Sequence, residues 1–209
     1  MTITIFGATG KTGQQLVKQA LSMGHTVKAF GRNVYGTDFL KHDNLQLIQG
    51  ALFDENDVRN AINGSDAVLS VIGGSMDGTD KSRSLGIKII SEQMKLANVD
   101  RIVALGGLGV LPAGDGGLLM DAKDYPAEYI PVGKEHLKAY EWLKASDLRW
   151  TFVCAPDLVQ GDATGSFTTA AEAAPVPNTS RINTGDLALF MLNELDRNVF
   201  IRRRVGISN

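Results

Sequence analysis

Gly7-Ala8-Thr9-Gly10-Lys11-Thr12-Gly13 sets three glycines at G-x-x-G-x-x-G spacing, between an apolar β-branched run and an amphipathic one. A glycine lacks the Cβ that would keep backbone away from a diphosphate. The first N–H groups of a following helix then point at that anion, and the helix dipole adds to them. The spacing is not G-x-G-x-x-G, and the position between strand and helix is what gives the triple its weight. Gly10-Lys11-Thr12 also looks like the end of an ATP or GTP phosphate loop, but that loop needs a glycine at position 5, where Ile5 stands. A dinucleotide is therefore expected, held by Gly7, Ala8, Thr9, Gly10, Lys11, Thr12 and Gly13.

Phe30-Gly31-Arg32-Asn33, at the end of the second apolar run, decides between dinucleotides. An acid there would accept from a ribose 2′-hydroxyl and repel a 2′-phosphate. None is present, and Arg32 is placed to pair with a phosphate, with Lys11 adding positive charge. The cofactor expected is NADP(H) rather than NAD(H). For proton chemistry the candidates are His136, whose ordinary pKa lies near neutrality, and Asp157, which could orient it or the substrate. Leu108, Leu111, Met120, Tyr125, Tyr129 and Phe167 are candidate apolar walls for an acceptor. Tyr140-Glu141-Trp142-Leu143-Lys144 fits the Tyr-x-x-x-Lys in which a phenol donates to a carbonyl and a lysine lowers its pKa.

The elements that must position these residues alternate between strand and helix. Strands are predicted at 2–6, 26–30, 45–49, 67–72, 101–105 and 150–154, with a last one at 199–205. Helices are predicted at 14–23, 54–62 (Asp54 capping), 82–97, 134–145 and 186–195. Such alternation implies an α/β doubly wound parallel sheet, a Rossmann fold, with residues 1–209 forming one domain. Residues 106–132 and 155–181 are rich in glycine, proline and polar residues. They follow strands five and six, so they should lie beyond the strand ends where ligands bind.

Composition narrows the function classes. The chain has 209 residues, with 21 Lys and Arg against 23 Asp and Glu, so bulk positive charge for nucleic acid is lacking. The one cysteine, Cys154, excludes an internal disulfide and a cysteine zinc cage, and reads as a buried small hydrophobe. His25, His42 and His136 are too far apart to suggest a metal site. The start lacks a charged leader, and no run of about 18 apolar residues exists to span a membrane. A cytoplasmic protein with a small-molecule substrate, monomeric or weakly dimeric, is expected. Arg202-Arg203-Arg204 would alternate faces in a strand, which dilutes any basic patch.

Strand, glycine turn, helix and then Gly31-Arg32 resemble the atypical short-chain dehydrogenase/reductase families that bind NAD(P), including the NmrA-like proteins and the biliverdin-IXβ reductase/flavin reductase group. Asp66-Ala67-Val68 with Ile72-Gly73-Gly74 resembles the family's fourth strand. Val99–Val103 resembles its fifth strand, and Ser146–Thr151 with Ala155-Pro156 its sixth. Thr164–Phe167 and Arg181–Ala188 look like the C-terminal part of the flavin reductase group. The resemblance places Leu52, Ile72, Gly73 and Gly106 along the cofactor. It implies an NADP(H)-binding oxidoreductase that reduces a flavin, quinone or similar conjugated molecule by hydride transfer. The alternatives are a non-catalytic NADP(H)-sensing regulatory protein and a nucleotide-sugar epimerase or dehydratase. Several positions depart from the family. Ala51 stands where an Asp often touches adenine, Gly107 where the flavin reductases have a Ser, and Asp157 where they have a His. His136 falls where they also have a His and where related families have a catalytic Lys. The family's Tyr position is held by Val132, so Tyr140 and Lys144 lie about one helical turn too late.

Overall fold

The computed structural model describes residues 1–114 and 116–209. The elements run β1 (Thr2–Phe6), α1 (Lys11–Ser22), β2 (Thr26–Gly31), β3 (Leu45–Gln49), α2 (Glu55–Ile62), β4 (Ala67–Ser70), α3 (Ser82–Leu96), β5 (Arg101–Gly107), α4 (Ile130–Ala145), β6 (Arg149–Ala155), β7 (Asp157–Val159), β8 (Thr168–Ala171), β9 (Arg181–Asn183), α5 (Thr184–Arg197) and β10 (Arg203–Ser208). Eight strands form one sheet in the order β3-β2-β1-β4-β5-β6-β10-β8, all parallel except β8 against β10. The first six follow the doubly wound Rossmann order, as the alternation predicts. β7 and β9 pair in parallel as a small second sheet.

Period-two alternation divides β1 between two cores. Ile3 and Ile5 pack with Leu16 and Val17 of α1 and Leu187 and Met191 of α5. Phe6 packs on the other face with Ile62, Ile90, Met94 and Phe152, under α2, α3 and α4. Thr4 also points there, where its hydroxyl reaches Ala61 O at 2.8 Å and Ser65 Oγ at 2.7 Å. At the N-terminal end of β5, opposite the strand ends that carry the glycine turn, buried Arg101 meets buried Glu194 at 3.0 Å, and Thr151 bonds the same carboxylate. Burial pulls the guanidinium down to about 10, with Glu194 opposing the shift. This pair ties α5 to β5 and β6.

Some boundaries differ from the sequence reading. α1 begins at Lys11, inside the glycine turn, because Gly10 itself serves as its N-cap. α4 begins at Ile130 with a proline in its first turn, where the missing N–H has no partner to lose. The last strand is 203–208 rather than 199–205. Glu194 accepts from the Val199 and Phe200 amides and holds them off the sheet, and Arg202 turns with φ +56. Arg202 is thus outside the strand, and Arg204 pairs with Glu172 at 2.7 Å. Within the 155–181 region the short strands β7 and β8 replace the expected loop. Cys154 is fully buried, as expected. No helix among the described residues is long and apolar enough to cross a membrane.

Candidate functional site

A cleft of about 1120 Å³ runs along the C-terminal ends of the central strands. Its floor is the glycine turn. Gly7 has φ +81, and a Cβ there would lie 2.6 Å from the Val71 carbonyl oxygen. A Cβ on Gly13 would lie 2.1 Å from the Gly7 carbonyl oxygen, so the turn and the helix start close on each other only without side chains. No side chain caps α1, and its first turn holds no acid. Its leading N–H groups are thus left for an anion, as a diphosphate-binding turn requires. Gly7, Thr9, Gly10, Lys11, Thr12 and Gly13 all line the cleft. The Ala8 side chain does not: its methyl is fully buried in the core beneath α1, so only its backbone is left to meet a ligand.

At one end, Gly31 and Arg32 close β2, and Gly50–Phe53 close β3. Arg32 and Lys11 are both exposed on this wall, and Gln49 bonds the Arg32 carbonyl at 3.0 Å. Asp57 accepts from the Ala51 amide at 2.9 Å and fixes the turn. Leu52 and Ile72 lean over Gly86 of α3, where a Cβ would come within 2.8 and 3.1 Å of them. Phe53 lies 55% exposed on the lining, a contact that sequence reasoning missed. Its signal was available: a large aromatic directly before the helix cap Asp54 has little core to enter.

The other end is built around three glycines. β5 pairs with β6 so that Gly107 lies beside Ala155, and both line the cleft with Ile72, Gly73 and Gly106. Each glycine near the end of β5 carries a ring. A Cβ on Gly106 would meet Phe152 at 2.1 Å, on Gly107 the His136 ring at 2.9 Å, and on Gly109 the Tyr125 hydroxyl at 2.6 Å. His136 lines the cleft with its Nδ1 buried and unpartnered. Burial first, then the charge of Arg83, pushes its pKa down to about 3 against the pull of Glu135. His136 is therefore a neutral imidazole, which corrects the expectation of a donor titrating near neutrality. Asp157 also lines the cleft, but its carboxylate accepts from Tyr129 Oη at 3.2 Å. No hydrogen bond among the described residues joins it to His136. That bond from Tyr129, together with the carboxylate's charge, raises the phenol's pKa.

Arg83, in the first turn of α3, was not singled out from the sequence. It is 8% exposed and lines the cleft, and it donates to Ser75 O at 2.9 Å and Gly74 O at 3.0 Å. It thereby clamps the loop that leaves β4. Of the expected apolar walls, Leu108, Tyr125 and Tyr129 line the cleft. Leu111 is fully buried, Met120 lies behind Gly109 and Gly133, and Phe167 packs edge-on to Phe190. Tyr140 stacks against Trp150 and Phe152, with both ring centroids at 5.7 Å, behind the cleft wall. Lys144 reaches only the face of that ring, 6.0 Å from its centroid, so the Tyr-x-x-x-Lys pattern has no place in the site.

The chain is 28% identical over 203 residues to an uncharacterized protein, YwnB, of Bacillus subtilis (strain 168), a match covering 94% of this chain and 92% of that one. It superposes with a TM-score of 0.85 and 30% identity on an exported-protein candidate from Burkholderia pseudomallei, over 100% of both chains. An NADH-flavin reductase candidate from Streptococcus pneumoniae TIGR4 gives a TM-score of 0.84 and 25% identity, over 100% of this chain and 99% of that one. The resemblance read from the glycine turn and the later strands thus extends through the whole fold. A family model for NAD(P)H binding matches residues 7–198, and with a bare helix start behind a side-chain-free turn, this chain belongs to the NAD(P)H-binding family.

Proposed function

We propose that the protein is an NADP(H)-dependent oxidoreductase that reduces a flavin, quinone or similar conjugated small molecule. One observation carries this reading: a single cleft joins the uncapped start of α1 and Arg32 to an aromatic-lined end at Gly107–Gly109. Single-ligand pockets span roughly 300–1,000 Å³, so the volume leaves space for a dinucleotide and an acceptor side by side. When bound, the reduced nicotinamide supplies a hydride, and the overall reaction consumes one proton and yields NADP⁺ and the two-electron-reduced acceptor. The chain's part is to hold both partners and keep water out. The glycine turn and α1 grip the diphosphate, and Arg32 with Lys11 favours the 2′-phosphate. Leu52 and Ile72 would bound the adenosine side, and Gly73, where a Cβ would meet nothing within 4 Å, would leave room beside Gly106 for the nicotinamide. Conjugated acceptors suit this site because their rings accept hydride without a charged acid, and His136 offers none.

The S. pneumoniae relative, a candidate NADH-flavin reductase, supports the acceptor class. The lack of any side chain at Gly107 favours a second reading, a protein that binds the cofactor to sense its redox state without turnover. Following NADPH absorbance with riboflavin and with small quinones separates the two. Steady oxidation is expected. A protein that binds NADPH but stays inert with both acceptor classes overturns the reductase reading in favour of the sensor.

A further inference from the structure

We infer that Tyr125 is the hydrogen-bond donor to the acceptor, and that the acceptor therefore carries a ring carbonyl at this end of the cleft; this inference rests on the reductase reading above. The strand end that floors the acceptor region, Gly106-Gly107-Leu108-Gly109, offers no polar side chain. The polar groups there arrive from other elements. His136 is unpartnered at Nδ1, but that atom is buried away from the cleft space, and most of the others are already engaged. The Tyr129 hydroxyl is given to Asp157. The Arg83 terminal nitrogens are given to the Gly74 and Ser75 carbonyls. The Thr184 hydroxyl is given to Gly161. Tyr125 differs: its ring is half-buried and lines the cleft, and its hydroxyl makes no hydrogen bond within the described residues.

That hydroxyl is also held in place. It sits against the bare Cα of Gly109, where any Cβ would come within 2.6 Å of the oxygen and 3.0 Å of Cζ. The Tyr125 amide bonds Ala122 O at 3.1 Å, which fixes the turn that carries the ring. A phenol confined this way presents one O–H in a defined direction without a competing partner. Charge developing on a carbonyl oxygen is the group such a donor stabilises. Burial, and then the neighbouring Tyr129 and Asp157, raise the pKa of Tyr125, so the O–H persists through the working pH range. A flavin C4 carbonyl or a quinone oxygen meets this requirement, whereas a conjugated alkene without a carbonyl does not.

The test uses the full chain saturated with NADP⁺, which binds in the same turn but cannot reduce an acceptor. A naphthoquinone isotopically labelled at its carbonyls is titrated in, and its carbonyl stretch is read by difference infrared spectroscopy. Wild type is expected to bind it and lower that frequency. Tyr125→Phe is expected to bind it roughly three- to tenfold more weakly, with the shift abolished. With NADPH the same variant should lose about a hundredfold in kcat while its NADPH affinity is unchanged. Tyr140→Phe, behind the cleft wall, should keep the shift. A shift that survives in Tyr125→Phe overturns the assignment while leaving the reductase reading intact. A failure of wild type to bind either a quinone or a flavin in the NADP⁺ complex overturns both.

Discussion

Burial pulls the pKa of His136 well below its ordinary value, and stability should report it. Above its ordinary value of 6.5 the imidazole is neutral in both folded and unfolded chains. Below that, the unfolded chain takes up a proton that the folded chain refuses until about pH 3, so stability falls as pH falls across this window. His136→Gln should flatten that acid slope, visible as a thermal midpoint that drops less steeply with acid than that of wild type. Arg32 makes a separate claim. Arg32→Ala should weaken NADPH by about 1.5–3 kcal/mol, or roughly ten- to a hundredfold, and leave NADH nearly unchanged. Calorimetric titration with both dinucleotides checks it, and an equal loss for both would remove Arg32 from the 2′-phosphate. At this scale, residues on the glycine turn were legible because their chemistry depends on backbone and order. Tyr125 was legible as a wall of the cleft but not as a hydrogen-bond donor, and Arg83 was not legible at all, since facing a cleft is decided by packing that periodicity does not encode.

Asp186 joins separate elements and sets an expectation at their scale. Its carboxylate lies in the first turn of α5 and accepts from the Thr164 and Gly165 amides at 2.8 Å each, from the Thr164 hydroxyl at 2.7 Å, and from the Asn183 and Asn209 side chains. Burial alone would raise its pKa, but these donors outweigh it and hold the carboxyl below the usual range. Asp186→Ala would remove the buried carboxylate that these donors share, at a cost of about 2–4 kcal/mol, and should loosen the segment after β7 before the sheet itself gives way. Denaturant unfolding measures the loss, and hydrogen exchange at residues 164 and 165 locates it. The main strands and helices were readable from alternation and capping, as with Asp54, which accepts from the Asn56 and Asp57 amides. The short strands β7, β8 and β9 were not. They are three or four residues long, too short to show an alternation, and their pairing depends on partners distant in sequence, as for Asp157 with Arg181.

For the molecule as a whole, ligand binding is folding energy. NADPH at about a hundred times its dissociation constant should add ~2.7 kcal/mol of stability. For a chain of this size that raises the thermal midpoint by roughly 5–10 °C. A scan with NADPH, NADH and ATP should rank them in that order, and an ATP response equal to that of NADPH would contradict a dinucleotide site. The overall topology could be read because a β-α alternation with right-handed crossovers permits few arrangements. The acceptor wall could be read only in part: Leu108, Tyr125 and Tyr129 were expected and line it, but the seating of the His136, Phe152 and Tyr125 rings on a strand end without side chains was not. That construction restricts how this wall can diverge. A Cβ at position 107 would come within 2.9 Å of His136 Cδ2, so a serine there requires the imidazole to shift. Gly107→Ser should therefore displace the His136 ring, and the effects of Gly107→Ser and His136→Ala on stability should be non-additive in a double-mutant cycle.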